Sequence, residues 1–198
     1  MNRLILASAS PRRAALLAEA NIPFAIEPAD VDERFDPALS LRENARAVAL
    51  RKARAMAARH PGAFVLGADT IVALDGEAIG KPRDEADAVR MILKLAGRAH
   101  EVVTGVASTG GPGAGEWTGD EVTRVRFGPV TQSEAEAYAA TGEPLDKAGA
   151  YAIQGGAGQW IEGYEGSYSN IVGLPMELTL RALAALGFTA REGPGVCR

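Results

Sequence analysis

One passage constrains this chain more than any other. From Phe64 to Leu74 every residue is small or apolar except Asp69 and Thr70, so a carboxylate is set within what reads as a buried strand. A buried charge needs a counter-charge or a metal beside it. Ala63–Ala68 is predicted to form the strand with Asp69 at its end, and Ile71–Leu74 to run on to a hairpin turn at Asp75–Gly76. Strand ends of α/β sheets open onto the ligand crevice, which gives Asp69 a functional reading beside the plainer ones of capping a turn or pairing with a lysine.

Around this passage strands and helices alternate. Arg3–Ala7 reads as a buried strand, and Ser10 with Pro11 as the cap and first residue of a helix that Asn21 closes. Phe24–Glu27 reads as a second strand, followed by an acidic loop carrying Asp30, Asp32, Glu33 and Asp36. Helices are expected from about Leu41 to His60 and from Asp84 to Leu95, the latter ended by Gly97. His100–Thr109 and Glu121–Phe127 read as strands joined by a flexible Gly110–Gly115 connection. Thr131 and Glu134 make a capping box for a helix reaching about Ala140. Gly142–Gly173 has no clear period and reads as functional loops with short strands, before a last helix over Pro175–Leu186 that Gly187 stops. With 198 residues and no internal repeat, the expectation is one domain, residues 1–198, of the α/β class, with a mixed central β-sheet flanked by helices.

Several side chains stand out chemically. Arg12 and Arg13 sit in the first turn of the first helix, the positive end of its dipole, where cations are disfavoured by about 0.3–1 kcal/mol. A bound phosphate would offset that, with the Ser8 and Ser10 hydroxyls converging on it; plain solvation of both arginines is the alternative. Lys52 falls on the Leu41, Ala45, Val48, Met56 stripe, hence on a packed helix face, from which it either snorkels or serves a site. Lys81 lies in an extended turn between Gly80 and Pro82. Glu33 offers a second hard oxygen ligand, with Asp69, for Mg²⁺ or Mn²⁺. His60 and His100 lack an evident Ser or Cys partner, and the chain has neither a Walker motif nor a strand followed by G-x-G-x-x-G and a helix.

Charge and composition narrow the partners. Lys plus Arg total 21 against 25 Asp plus Glu, a net charge of −4, which disfavours generalised binding to nucleic acid or anionic lipid. No stretch approaches the ~18–20 apolar residues that span a bilayer, and the apolar run Leu4–Ala7 is too short for a secretory signal. The single Cys197 excludes an intrachain disulfide and a cysteine metal cage, so the cytoplasm is the expected compartment.

Taken in order, these segments resemble the Maf family of nucleoside triphosphate pyrophosphatases. The resemblance rests on Leu4–Arg13, Asp32–Glu33, Lys52–Ala53, Ala68–Val72, Gly80–Pro82, His100–Val106, Thr123–Phe127, Asp146–Gly149 and Ser169–Pro175. The Gly110–Asp120 insertion and the Gly193–Arg198 tail fall outside it, as variable surface segments would. The resemblance implies two lobes with a cleft between them, a homodimer in many members, a divalent metal (Mg²⁺ or Mn²⁺), and hydrolysis of a nucleoside triphosphate to monophosphate and pyrophosphate. It makes Asp69 the proton acceptor that activates water for attack at the α-phosphorus. Glu33 and Asp69 hold the metal, and Ser8, Ser10, Arg12, Arg13, Lys52, Lys81 and Lys147 bind phosphate in this reading.

The resemblance also implies that base choice falls to Arg12, Thr70 and Gln154, which are similar to the dTTP and UTP subgroup at these positions. An amide donates and accepts, as the edge of thymine or uracil requires, whereas a carboxylate only accepts and suits guanine. Other readings are a pyrophosphatase for 7-methyl-GTP or another purine nucleotide, a nucleotide sensor, and a non-enzymatic regulator of cell division.

Overall fold

A computed structural model describes residues 3–111 and 115–189. Cys197, the Gly193–Arg198 tail and the middle of the Gly110–Gly115 connection lie outside them. Among the described residues no helix is long and apolar enough to cross a membrane.

In chain order the elements are β1 (Leu4–Leu6), α1 (Pro11–Glu19), β2 (Ala25–Ile26), α2 (Leu41–Arg59), β3 (Phe64–Leu74), β4 (Glu77–Ile79), α3 (Glu85–Leu95), β5 (Ala99–Gly110), β6 (Gly115–Phe127), α4 (Gln132–Ala139), β7 (Ile161–Glu165), α5 (Tyr168–Val172) and α6 (Met176–Ala185). Short 3₁₀ turns fill Glu143–Asp146, Ala148–Ala150 and Gly156–Trp160. The strands make one mixed seven-stranded sheet in the order β2-β1-β3-β5-β6-β7, with β4 also on β3. β1 runs parallel to β2 and β3, and every other pair is antiparallel. The expected α/β fold with a mixed sheet is what forms.

Local signals account for most boundaries. The Ser10 side chain caps α1 by accepting from the Arg13 N–H, with Pro11 at the first position. Reciprocal capping boxes start α2 at Ser40 and Glu43 and α4 at Thr131 and Glu134. The β3–β4 hairpin turns through Asp75 and Gly76, both at positive φ, the conformation a two-residue turn requires.

The departures are equally physical. The Phe24–Glu27 strand shrinks to two residues. Gly115–Asp120 is not a surface connection: β6 begins at Gly115 and stays in register with β5 over its whole length. Trp117 packs partly against the α6 cluster, and the Asp120 carboxylate, only 2% exposed, accepts from both Arg42 and Arg46 of α2. Cross-strand pairing thus overrides the weak strand propensity of this Gly-containing stretch.

The alternation along β3 sorts its side chains. Phe64, Leu66 and Ala68 face α1 and α6, Val72 and Leu74 face α3 and α4, and Val65 and Ile71 face α2. Helix α2 comes very close to the sheet because two strand positions lack a side chain. A Cβ on Gly67 would stand 2.2 Å from the Ala49 carbonyl oxygen, and one on Gly105 2.2 Å from the Ala45 carbonyl carbon. No relaxation of a flexible side chain relieves either clash, since both partners are backbone. Gly67→Ala is therefore expected to lower stability by about 1–3 kcal/mol, the usual cost of overpacking, read as a lower urea midpoint. An unchanged midpoint would mean that α2 is not pressed onto β3.

Candidate functional site

β3 lies between β1 and β5, but β1 stops early. Its last residue pairs with Leu66, and β4 takes up the same side of β3 only at Val72. Between them the strand edge has no partner strand, and there a cavity of about 610 Å³ opens, within the range that holds small-molecule ligands. Asp69 therefore sits in the middle of an eleven-residue strand rather than at its end. The end that matters is that of the neighbouring strand.

The eleven residues assigned to catalysis, metal, phosphate and base all line this one cavity: Ser8, Ser10, Arg12, Arg13, Glu33, Lys52, Asp69, Thr70, Lys81, Lys147 and Gln154. The strand period splits them into two groups. Asp69 points toward α2, where Lys52 Nζ donates to its Oδ1 at 2.8 Å and approaches Glu33 Oε1 at 2.7 Å. Lys52 does not snorkel: its side chain is 9% exposed, against 13% for Asp69 and 55% for Glu33. Burial pushes the Glu33 carboxyl up, but the Lys52 hydrogen bond and charge, with Lys81 and Arg13 nearby, hold it below the usual carboxylate range.

Thr70 points the other way, into a network centred on Arg13. That guanidinium donates through Nε to the Gly173 carbonyl at 2.8 Å, through Nη1 to Ser8 Oγ and the Ala68 carbonyl at 3.0 Å each, and through Nη2 to Thr70 Oγ1 at 3.0 Å. Four of its five N–H groups are thus engaged by the protein, which leaves one to offer to a phosphate. Arg13 braces the unpaired edge of β3, supplying the Ala68 carbonyl with the donor that a neighbouring strand would have given. Burial lowers its pKa from the ordinary value while the Asp69 charge opposes the shift. The Thr70 hydroxyl, held between Arg13, Thr104 and the Gly173 carbonyl, also belongs to this brace.

Ser8 Oγ accepts from the Ser10 N–H and from Arg13, and Ser10 Oγ accepts from the Arg13 N–H. Each hydroxyl keeps its own O–H to offer to a ligand. Arg12 and Lys81 line the cavity with no ion pair among the described residues. Lys147 is tied to Asp146 Oδ1 and to the Glu143 carbonyl. Three of the four lysines in the chain thus face one cavity of an acidic protein.

The loop bearing Gln154 is anchored at both ends by residues to which the sequence assigns no role in the site. Tyr151 Oη meets His100 Nε2 at 2.7 Å, and Glu143 accepts from both the Tyr138 hydroxyl and the Gly156 N–H. Burial holds the His100 imidazole down to about 4, so it stays neutral near pH 7. Fully buried Asn170 donates to the Val102 carbonyl and to Thr123 Oγ1, and so fixes α5, whose closing residue Gly173 receives Arg13. Val72, Val102, Tyr151, Ile171 and the exposed Phe35 add apolar wall to the cavity. Among the described residues no group of three or more His, Cys, Asp or Glu converges as a metal cage.

The fold and site define an α/β protein whose interrupted sheet edge holds a carboxylate beneath a cavity lined by five cations. A family model for Maf-like proteins matches residues 3–186, and the chain belongs to that family. A relative from Symbiobacterium thermophilum named dTTP/UTP pyrophosphatase is 50% identical over 193 residues, covering 98% of both chains. One from Geobacter sulfurreducens with the same name is 49% identical, covering 93% of this chain and 97% of its own. Among solved structures, a nucleoside-triphosphatase / dITP/XTP pyrophosphatase from Mycobacterium abscessus covers 93% of this chain and 98% of its own at 17% identity, with a TM-score of 0.44.

Proposed function

We propose that this protein hydrolyses a pyrimidine nucleoside triphosphate, dTTP or UTP, to the monophosphate and pyrophosphate. The observation that carries the reading is the convergence of Arg12, Lys81 and Lys147 with the Asp69 carboxylate in one cavity. A triphosphate carries nearly four negative charges, and an acidic protein needs such a local cluster to hold it. The two named relatives supply the reaction class. A cytoplasmic nucleotide pool is the setting we assign.

The serine hydroxyls and the α1 N-terminus receive phosphate oxygens, joined by Arg12, Lys81 and Lys147. Before substrate binds, Lys52 holds Asp69 Oδ1; Oδ2, which has no partner among the described residues, is the oxygen that accepts a proton from water. The water oxygen bonds to the α-phosphorus as the bond to the bridging oxygen breaks, and pyrophosphate departs. Glu33 and Asp69 fit a Mg²⁺ or Mn²⁺ that arrives with the substrate, because such ions are commonly held by one or two carboxylates plus substrate phosphates. When bound, the ion would neutralise charge developing on the phosphate oxygens.

Pyrophosphate release across canonical and modified nucleotides, with Mg²⁺ or Mn²⁺, tests the reading; release of orthophosphate instead would place cleavage at another bond. Asp69→Asn is expected to lower kcat at least ~10²-fold with the fold retained, and near-normal turnover would remove Asp69 from the mechanism. Gln154→Glu is expected to weaken dTTP and UTP use relative to guanine nucleotides by about 1–3 kcal/mol in kcat/KM. Unchanged relative rates would take Gln154 out of base selection.

A further inference from the structure

The Lys52 ammonium stands where two carboxylates converge, 2.7 Å from Glu33 and 2.8 Å from Asp69. Its aliphatic stem is sealed into the packed face of α2 beside Val48, Ala49 and Met56, so the charge reaches the cavity only at its tip. Asp69 is fixed in β3, while Glu33 rides on the irregular segment between β2 and α2 and is more than half exposed. The ammonium is therefore one tie between this segment and the sheet. It is also a single positive charge between two negative ones, which leaves the trio at a net −1.

We propose that Lys52 is a built-in counter-cation for the Glu33–Asp69 pair, which keeps the pair from binding a divalent ion on its own and gives way only when a triphosphate enters to take over the ammonium. The inference rests on the assignment of Glu33 and Asp69 to the metal. Two consequences follow from charge alone. A dication approaching the empty cavity meets one net negative charge and an ammonium in contact with both ligands, so its affinity is low. A dication arriving with a polyphosphate brings oxygens that can accept the Lys52 N–H groups, so both carboxylates are released to it together. Arg13 cannot do the same work, because its donors are committed to Ser8, Ala68, Thr70 and Gly173. Lys81 faces the same cavity but contacts neither carboxylate within ion-pair distance.

The test reads metal binding rather than turnover. Mn²⁺ binding is followed by electron paramagnetic resonance for the wild type, Lys52→Met and Glu33→Gln, without nucleotide and with α,β-imido-dUTP. Lys52→Met is expected to bind Mn²⁺ alone at least tenfold more tightly than the wild type, whereas the wild type matches it only with the analogue present. Equal or weaker binding by a folded Lys52→Met overturns the proposal. Should that variant not fold, the wild type decides. The chain has four lysines, so the ¹⁵N ammonium signal of Lys52 can be followed during a Mg²⁺ titration with the analogue. A shift with the same midpoint as metal binding supports displacement, and an unmoved signal at saturation overturns it. If the analogue-loaded wild type binds Mn²⁺ and Glu33→Gln does not, yet Lys52→Met gains nothing, only the counter-cation role fails. If no form binds Mn²⁺ even with the analogue, the metal assignment fails with it.

Discussion

The ion pair between Lys52 and Asp69 is possible only because α2 lies almost in van der Waals contact with β3 and β5. Gly67 and Gly105 remove the two side chains that would hold the helix away, and Asp120 pins its outer turns through Arg42 and Arg46. From that approach the rest follows. The lysine stem is buried as core, the ammonium emerges under Glu33, and a carboxylate can sit in mid-strand without being left uncompensated. Removing Lys52 alone would strand the buried Asp69 carboxylate, whereas removing Asp69 still leaves Lys52 its Glu33 partner.

The second requirement is an incomplete sheet. Because β1 ends opposite Leu66 and β4 starts opposite Val72, a strand buried on both faces still has an open edge, and the cavity wraps around it. Asp69 and Thr70 thus serve one cavity from opposite faces of the sheet. On one side the edge is charged and ready for chemistry. On the other, Arg13 replaces the missing strand with four hydrogen bonds and joins α1, β3 and the end of α5 into one frame. The net charge of −4 then ceases to be an argument against a polyanionic ligand, since five cations against three carboxylates line this cavity and the acidic surplus lies elsewhere.

Signals confined to a few neighbouring residues were legible in the sequence. The Ser10–Pro11 start, the Thr131–Glu134 capping box and the Asp75–Gly76 turn each state their own conformation. So was the anomaly of Asp69, because a carboxylate in an apolar run is visible without knowing its partner. What depended on distant pairing was not. The extent of β3 past Asp69 and the start of β6 at Gly115 are set by β5, which neither segment announces. Arg13 reads as a phosphate ligand because its helix position is local, while the acceptors it meets in the folded chain, at Ala68 and Gly173, lie 55 and 160 residues away. The hold of Glu143 and His100 on the Gln154 loop leaves no pattern of its own, since it acts through contacts made only by the folded chain.

The account turns on a water delivered by Asp69 to the innermost phosphorus of a triphosphate. Turnover of dTTP or UTP in ¹⁸O-labelled water reads this directly. The label is expected in the monophosphate, with unlabelled pyrophosphate as the other product. Label appearing in pyrophosphate or orthophosphate would contradict attack at the α-phosphorus.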